Sequence, residues 1–414
     1  MEQVGKPTSV DLHLPWVAAA NDDMPLHDDA QVSSQSPRDD LDREVYAILG
    51  IPIDAIGMDE VLNALDSAAR LRRPCLLSTP NVNFIATSRK SPEFREILLA
   101  SDLCAADGAP IIWIARLLRL PIRYRVAGSD IFESIKQFKP KNRPLKVFFF
   151  GGDENIAAQA AARLNLESTR LKCVGHINPG FTSVEAMSCE TIIAQVNESQ
   201  ADLLLVSLGA QKGQEWLYRN HMRINIPVRA HFGATLNFQA CAIRRAPVVF
   251  RRLGLEWLWR IKEEPRLWRR YLYDGLMLLR LFMTKVIPLA LLQTFRKRRA
   301  APFDVQMSYM IRGTSAVVHL SGDATADSVV RAKVHFREAI SKSRHLIVDL
   351  RDTQQIDARF LGFLLMVRKC LTARDGTINF TGVSARLKQI FTLHDVDYIL
   401  PKDGRLEQND GSMD

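Results

Sequence analysis

From Glu44 onward, short apolar runs alternate with stretches in which apolar positions recur every three or four residues. The first run, EVYAILGIPIDAI, reads as strand with an internal Gly50-Ile51-Pro52 turn, and MDEVLNALDSAARLRR after it has helical spacing. CLLSTP is a short buried strand ending at Thr79-Pro80, followed by a helical pattern from Asn81 to Ala100. The rhythm returns in SDLCAA before Asp107-Gly108, in PLKVFFF before Gly151-Gly152 and an alanine-rich helix, in LKCVGHI, and in ADLLLVSLG, which runs into a polar turn. Strands alternating with helices predict an α/β fold on a parallel, Rossmann-like sheet, whose ligands lie beyond the carboxyl ends of the strands.

The pattern changes at both ends of this region. Residues 1–43 have no sustained apolar period and are rich in Asp, Ser and Pro, which predicts a disordered acidic tail without the basic start and apolar core of a signal peptide. Beyond residue 243 comes a helical appendage, 244–300, that is basic in its first half and apolar in its second. Its apolar part, LYDGLMLLRLFMTKVIPLALLQTF, is interrupted by Arg280, Lys285 and Pro288, and its longest uncharged run, Val286 to Phe295, falls short of the roughly 20 residues of a membrane span. The expectation is a helix lying in the membrane interface or packed against the next domain, with Arg296 to Arg299 attracting anionic lipid. From Asp304 a second unit begins, 304–402, with the strand-like SAVVHLSG and HLIVDLRD, two helical stretches, TINFTG and a last helix; 403–414 reads as a tail.

Composition narrows the class. Of 414 residues, 47% are hydrophobic and 24% charged, enough for two or three globular domains. Six cysteines are scattered without metal-ligand spacing, a pattern that fits a reducing cytoplasm. The net charge of +9 is uneven: residues 1–44 hold ten acidic and three basic side chains, and 244–299 hold fifteen basic and four acidic. Arginines at 244, 245, 251, 252, 260, 266, 269 and 270 are interleaved with Trp257, Trp259 and Trp268, so something anionic is expected there. No nucleic-acid reading motif accompanies the patch, which points to phosphate groups or an anionic membrane surface as partners.

Two strand ends carry candidate chemistry, STPNVNF and Asp107-Gly108-Ala109-Pro110, with RVAGSD further along the chain. A hydroxyl attacking as a nucleophile benefits from a carboxylate that takes its proton, and an Asp at a cleft-facing strand end suits that task; an Asp-Gly turn that only starts a helix is the plainer alternative for Asp107. Gly151 and Gly152 let the backbone approach a ligand closely, and a helix N-terminus follows, but a third glycine at dinucleotide spacing is missing.

Together with RAP, GLEW, an arginine three residues after Trp257, and EP followed by basic residues, these segments resemble the WecG/TagA/CpsF glycosyltransferases, glycosyltransferase family 26. The resemblance implies Thr79, Asn81 and Asp107 at the acceptor pocket with Asp107 as base, and Arg125 and Gly128 beside them. It places Gly151 and Gly152 at the nucleotide sugar, and Gln214 and Glu215 at a conserved Gln-Glu pair. Arg260, Arg266 and Arg270 would then lie at the leaving diphosphate, with Arg251 and Arg252 facing solvent or lipid. Four positions depart from the pattern: Gln211, Gly213, Asn237 and Cys241. The implied activity is inverting transfer of a hexose or N-acetylhexosamine, such as N-acetylmannosamine or its uronic acid, from a UDP-sugar to a polyprenyl-diphosphate-linked saccharide. That would serve surface or exopolysaccharide assembly on the cytoplasmic face of the membrane, as a peripheral protein. No cofactor is implied, and without an Asp-x-Asp element at a strand end metal use stays open.

The C-terminal unit resembles a STAS domain through VDL and through Ile356-Asp357 before a Gly-containing helix. Where phosphorylation-switched members have Ser after the Asp, this chain has Ala358 and Arg359, so that switch is expected to be absent and a partner-binding or regulatory role remains. Two alternatives to an enzyme stay open: a degenerate transferase acting as scaffold, and a nucleotide-sugar sensor signalling through the STAS domain.

Overall fold

The computed structural model describes residues 39–137, 143–152, 155–180, 182–297 and 305–401. Most of the expected N-terminal tail, the C-terminal tail and the side chains of Arg296 to Arg299 lie outside the described residues.

The chain enters through a hairpin, β1 (Val45–Ile48) and β2 (Ile51–Asp54), closed by Leu49-Gly50 with both residues at positive φ, 46° and 86°. Two left-handed central residues match the twist of the flanking strands. The turn therefore falls one residue earlier than expected, and Pro52 sits inside β2 opposite Ala47, tolerated because β2 has an open edge. Asp39–Arg43, expected in the tail, is ordered: Asp40–Asp42 forms a 3-10 turn, and Arg43 is buried. Acidic residues here find basic partners, since Arg337 and Lys333 pair with Asp39 and Asp42, and Lys369 with Asp40.

After α1 (Met58–Arg70) comes the main sheet: β3 (Cys75–Ser78), β4 (Leu103–Cys104), β5 (Leu145–Gly151), β6 (Leu171–Ile177), β7 (Leu203–Ser207) and β8 (Val228–His231). All neighbours are parallel, in the order β4-β3-β8-β7-β5-β6. The central strands read as unbroken apolar runs because both faces are covered. Val147 and Phe149 pack on one side, with α1, α5 (Gly128–Gln137) and α6 (Ile156–Glu167). Phe148 and Phe150 pack on the other, with α7 (Glu190–Glu198) and α8 (Ala210–Arg219). The polar turn expected after β7 is already the first turn of α8. On the β3–β4 side lie α2 (Val82–Lys90), α3 (Pro92–Ala100) and α4 (Ala109–Leu117), and after β8 the short α9 (Thr235–Gln239) leads to the appendage.

The appendage folds as α10 (Val248–Arg252), α11 (Glu256–Glu263) and α12 (Trp268–Leu281), which passes through a π-helical turn, Phe282–Val286, into α13 (Ile287–Lys297). One face is docked: Asn83 donates to Asp274 at 3.2 Å, Lys90 lies 4.0 Å over the Tyr273 ring, and Leu281, Val286 and Leu289 are buried. The opposite face leaves Leu272, Leu276, Leu279 and Met283 exposed, four positions on one helical stripe. By length and composition Pro265–Thr294 is long and apolar enough to cross a membrane, against the expectation from its charged interruptions. Between Asp274 and Arg296 the charged residues are Arg280 and Lys285 alone, so the stretch stays apolar on average despite them. Crossing would require the helix to abandon the contacts that bury Asp274 and Leu281.

The C-terminal domain carries β9 (Gln306–Arg312), β10 (Ser315–Ala324), β11 (His345–Ile356) and β12 (Thr377–Thr381) in the order β12-β11-β10-β9, with α14 (Val329–Lys342), α15 (Ala358–Thr372) and α16 (Ala385–Leu393). Strand β9, absent from the sequence reading, is an edge strand paired antiparallel to β10, and only its Met307 and Tyr309 are partly buried against the core. Helix α15 is buried along its first ten residues because its second face meets β1 of the N-terminal half. Val45 and Ala47 join the C-terminal core, whereas Tyr46 and Ile48 join the N-terminal one. Arg359 donates to the carbonyls of Val45 and Arg43 at 3.1 Å each. A basic side chain thus closes the seam two residues after Asp357, next to Ala358.

Candidate active site

Three backbone segments are laid side by side at the carboxyl end of the sheet. The amide of Asp107 donates to the carbonyl of Pro80 at 2.8 Å, and that of Val126 to Ala106 at 2.8 Å, so Thr79-Pro80-Asn81, Ala106-Asp107 and Arg125-Val126 converge. Thr79 is buried, and Asn81 caps α2 by accepting from the amide of Phe84 at 3.3 Å. Gly128 opens α5 with the Phe232 ring where a side chain would begin, so β8 packs tightly beneath the same corner. Thr79, Asn81, Asp107, Arg125 and Gly128 therefore share one region of the fold.

Asp107 is half-buried, and its withdrawal from water pushes its carboxyl up to about 7; Arg125 and Arg245 oppose the rise, and Glu256 and Asp130 add to it. A carboxyl that titrates near neutrality can both accept and return a proton.

Three of the surrounding charges come from the appendage. Arg125 donates from one nitrogen to Glu256 at 2.6 Å and from another to Asp130 at 2.6 Å. Arg245 pairs with Asp130 and donates to Ser129 at 3.0 Å, and Arg251 reaches Asp130 at 3.4 Å. Arg251 thus faces the core rather than solvent or lipid, a correction to the sequence reading. The approach depends on Gly254, whose missing side chain lets the α10–α11 turn rest on Ala109; a Cβ there would stand 2.5 Å from the Ala109 Cβ. The sequence offers Arg245 only as one of eight arginines and Glu256 only as a letter of GLEW. The neighbouring GLEW glycine was the available signal, because a glycine just before a helix can mark close backbone approach.

Across the strand ends, Gly151 and Gly152 both adopt positive φ, 94° and 92°, and the Gly152 amide donates to the carbonyl of Ser207 at 2.8 Å. The pair bends the chain across the end of β7, a path that only glycine takes without strain. Gln214 is fully buried and accepts from the Ser78 hydroxyl at 3.1 Å, whereas the partly buried Glu215 accepts from Gln211 at 2.8 Å. Gln214 faces the interior and Glu215 the surface, so the two do not act as a pair. Gly213 has a packing reason, since any side chain there would strike the His231 ring. Cys241 sits at φ 57°, in the left-handed region that favours glycine.

The remaining basic candidates separate. Arg260 lies 5.4 Å over the Phe238 ring and 2.5 Å from Glu264, and its Nη1 is buried without a hydrogen-bond partner; the Arg245 Nε is buried in the same condition. Arg266 is 80% exposed beside Glu264, and Arg270 is exposed over the Tyr271 ring. The structure does not bring Arg266 and Arg270 to Arg125, because a 3-10 turn, Pro265–Leu267, swings the chain outward. Among the described residues, no group of three or more His, Cys, Asp or Glu is placed to hold a metal.

Comparison with known proteins adds three findings. The profile of the glycosyl transferase WecG/TagA/CpsF family matches residues 46–290, and that of the Mlab STAS domain matches 307–401. A curated relative from Bacillus spizizenii, an N-acetylglucosaminyldiphosphoundecaprenol N-acetyl-beta-D-mannosaminyltransferase, is 25% identical over 195 residues, covering 47% of this chain and 73% of the relative. Among solved structures, the unphosphorylated anti-sigma factor antagonist SpoIIAA is 19% identical with a TM-score of 0.19, covering 22% of this chain and 82% of that one.

Proposed function

The chain belongs to the WecG/TagA/CpsF family of glycosyl transferases, and from that premise we propose that it moves an N-acetylhexosamine or related hexose from a UDP-sugar to a polyprenyl-diphosphate-linked saccharide, with inversion. The observation that carries this reading is the meeting of core and appendage around Arg125, which encloses a carboxyl of near-neutral pKa under a basic cover. In this reading the acceptor hydroxyl attacks the anomeric carbon and gives its proton to Asp107, while the bond from that carbon to the diphosphate breaks. Thr79 and Asn81 line the acceptor side. Negative charge building on the diphosphate is met by Arg125 and by the buried, unpaired N–H groups of Arg245 and Arg260, which are already oriented. The named activity of the Bacillus relative supports a lipid-linked acceptor, and the packing reason for Gly213 weakens the scaffold alternative.

Arginine's fork gives paired bonds to phosphate that lysine cannot reproduce. Arg260→Lys is expected to lower turnover at least about tenfold, with a smaller change in donor affinity. The measurement is transfer from UDP-sugars to a lipid-linked acceptor in the purified full chain. Turnover unchanged in both Arg260→Lys and Arg260→Ala would remove this arginine from the leaving-group site.

The same reading places the protein on the cytoplasmic face of the membrane, with the exposed stripe of α12 and α13 laid into the interface and basic side chains on anionic lipid. Replacing Leu276 and Leu279 together by Ser is expected to reduce sedimentation with anionic vesicles. Added salt should weaken what binding remains, since exposed charges are screened over about 10 Å at 0.1 M. Equal binding to neutral and anionic vesicles at any salt would sink the electrostatic part. The polysaccharide would be a surface or exopolysaccharide. A protein partner of the STAS domain would meet the exposed Val330 and Val334 of α14, because α15 is already covered.

A further inference from the structure

Glu256 is the acidic residue that the appendage inserts beside the proposed base. It opens α11 two residues after Gly254, which rests on Ala109, itself two residues after Asp107. Its carboxylate takes one arm of the Arg125 fork at 2.6 Å, while Asp130 of the core takes the other at 2.6 Å. The guanidinium is thereby held from both sides of the seam. Arg245 and Arg251 return to Asp130 from the appendage, so the contacts form one chain of alternating charge from Glu256 through Arg125 and Asp130.

We propose that Glu256 is a positioning residue for the transfer reaction, holding Arg125 in its working orientation and coupling closure of the appendage to the ionisation of Asp107. The proposal rests on the reading of Asp107 as the base. The charges facing Asp107 account for the coupling. Arg125, Arg245 and Arg251 carry three positive charges against Glu256 and Asp130, so the ionised Asp107 balances the cluster and the protonated Asp107 leaves it positive. Removing the Glu256 charge leaves a further positive charge uncompensated, and Asp107 then loses its proton at lower pH. Arg125, no longer held, also samples orientations that do not serve the diphosphate.

The test is Glu256→Gln in the full chain, with turnover and donor KM followed between about pH 5.5 and 9. Turnover at pH 8 is expected to fall roughly tenfold with little change in donor KM, and the acidic limb to move down by about half a pH unit or more. Glu256→Asp keeps the charge and should return the limb toward its original place. A role confined to packing would not move the limb, so an unmoved limb in Glu256→Gln overturns the proposal. If the unaltered chain transfers no sugar at all, the reading of the site as an enzyme fails separately. Hydrogen exchange of residues 244–263 then decides the latch: faster exchange in Glu256→Gln supports it, and unchanged exchange overturns it.

Discussion

Asp107→Asn is expected to lower turnover by roughly 10²- to 10⁴-fold while the donor still protects the fold against heat. The amide keeps the shape at the end of β4 and the backbone bond to Pro80 but cannot take a proton. In the unaltered chain kcat/KM should rise with pH and level off above about 7, as the carboxyl ionises. Stability should run the other way. Because the folded-state value, about 7, lies above the ordinary 3.8, the folded protein holds this proton more tightly than the unfolded chain. Stability due to this group is fully present below about 4, falls as pH rises toward 7 and stays low beyond. Asn does not ionise, so at pH 8 the variant should be the more stable protein, by on the order of a few kcal/mol. Near-normal turnover with the same acceptor would take Asp107 out of the mechanism, and equal stability at pH 5 and pH 8 would refute its burial.

The second large effect belongs to the seam between the domains. Asp54 accepts from Arg43 at 2.8 and 3.1 Å and from the amide of Cys104 at 2.6 Å, and both charged side chains are almost fully enclosed. Asp54→Ala leaves Arg43 buried against Asp40 and the Ser101 carbonyl alone. The expected cost is about 3–5 kcal/mol, the range for stripping one partner from a buried ion pair. Removing both charges, as in Arg43→Met with Asp54→Leu, should recover much of that loss, because apolar side chains of similar size carry no desolvation debt. Denaturant midpoints of the two variants check this, and a loss below about 1 kcal/mol for Asp54→Ala would show that water reaches Arg43.

The sheet was legible because its central strands are covered on both faces, which prints unbroken apolar runs such as VFFF and LLLV into the chain. The hairpin gave the same signal for a different reason, invisible in sequence: its two faces belong to two domains. Strand β9 was missed because its apolar residues fall on both faces, with Met310 and Ile311 exposed, so the alternation of Met307 and Tyr309 is blurred. At the site, Thr79, Asn81 and Asp107 were readable because each stands just past a strand end, whereas Arg125, in the coil before α5, was reached only through the resemblance of RVAGSD. The appendage was harder. Eight arginines share one composition, and only the turn at Gly254 and the outward swing at Pro265 decide that Arg245 and Arg251 reach the core while Arg266 does not. Charge density announced an anion site without saying which charges would face it.

The hairpin that opens the fold also sets a timetable. Val45 and Ala47 leave the ribosome early, but the helix that covers them ends at Thr372, more than 300 residues later. At about 5–20 residues per second, β1 waits tens of seconds with one apolar face bare. Over that interval the nascent chain carries a short, sticky strand pair whose rightful cover does not yet exist, and whatever shields it in the meantime must let go when α15 arrives. The outer face of the hairpin thus reaches its final packing only after the last domain has been made.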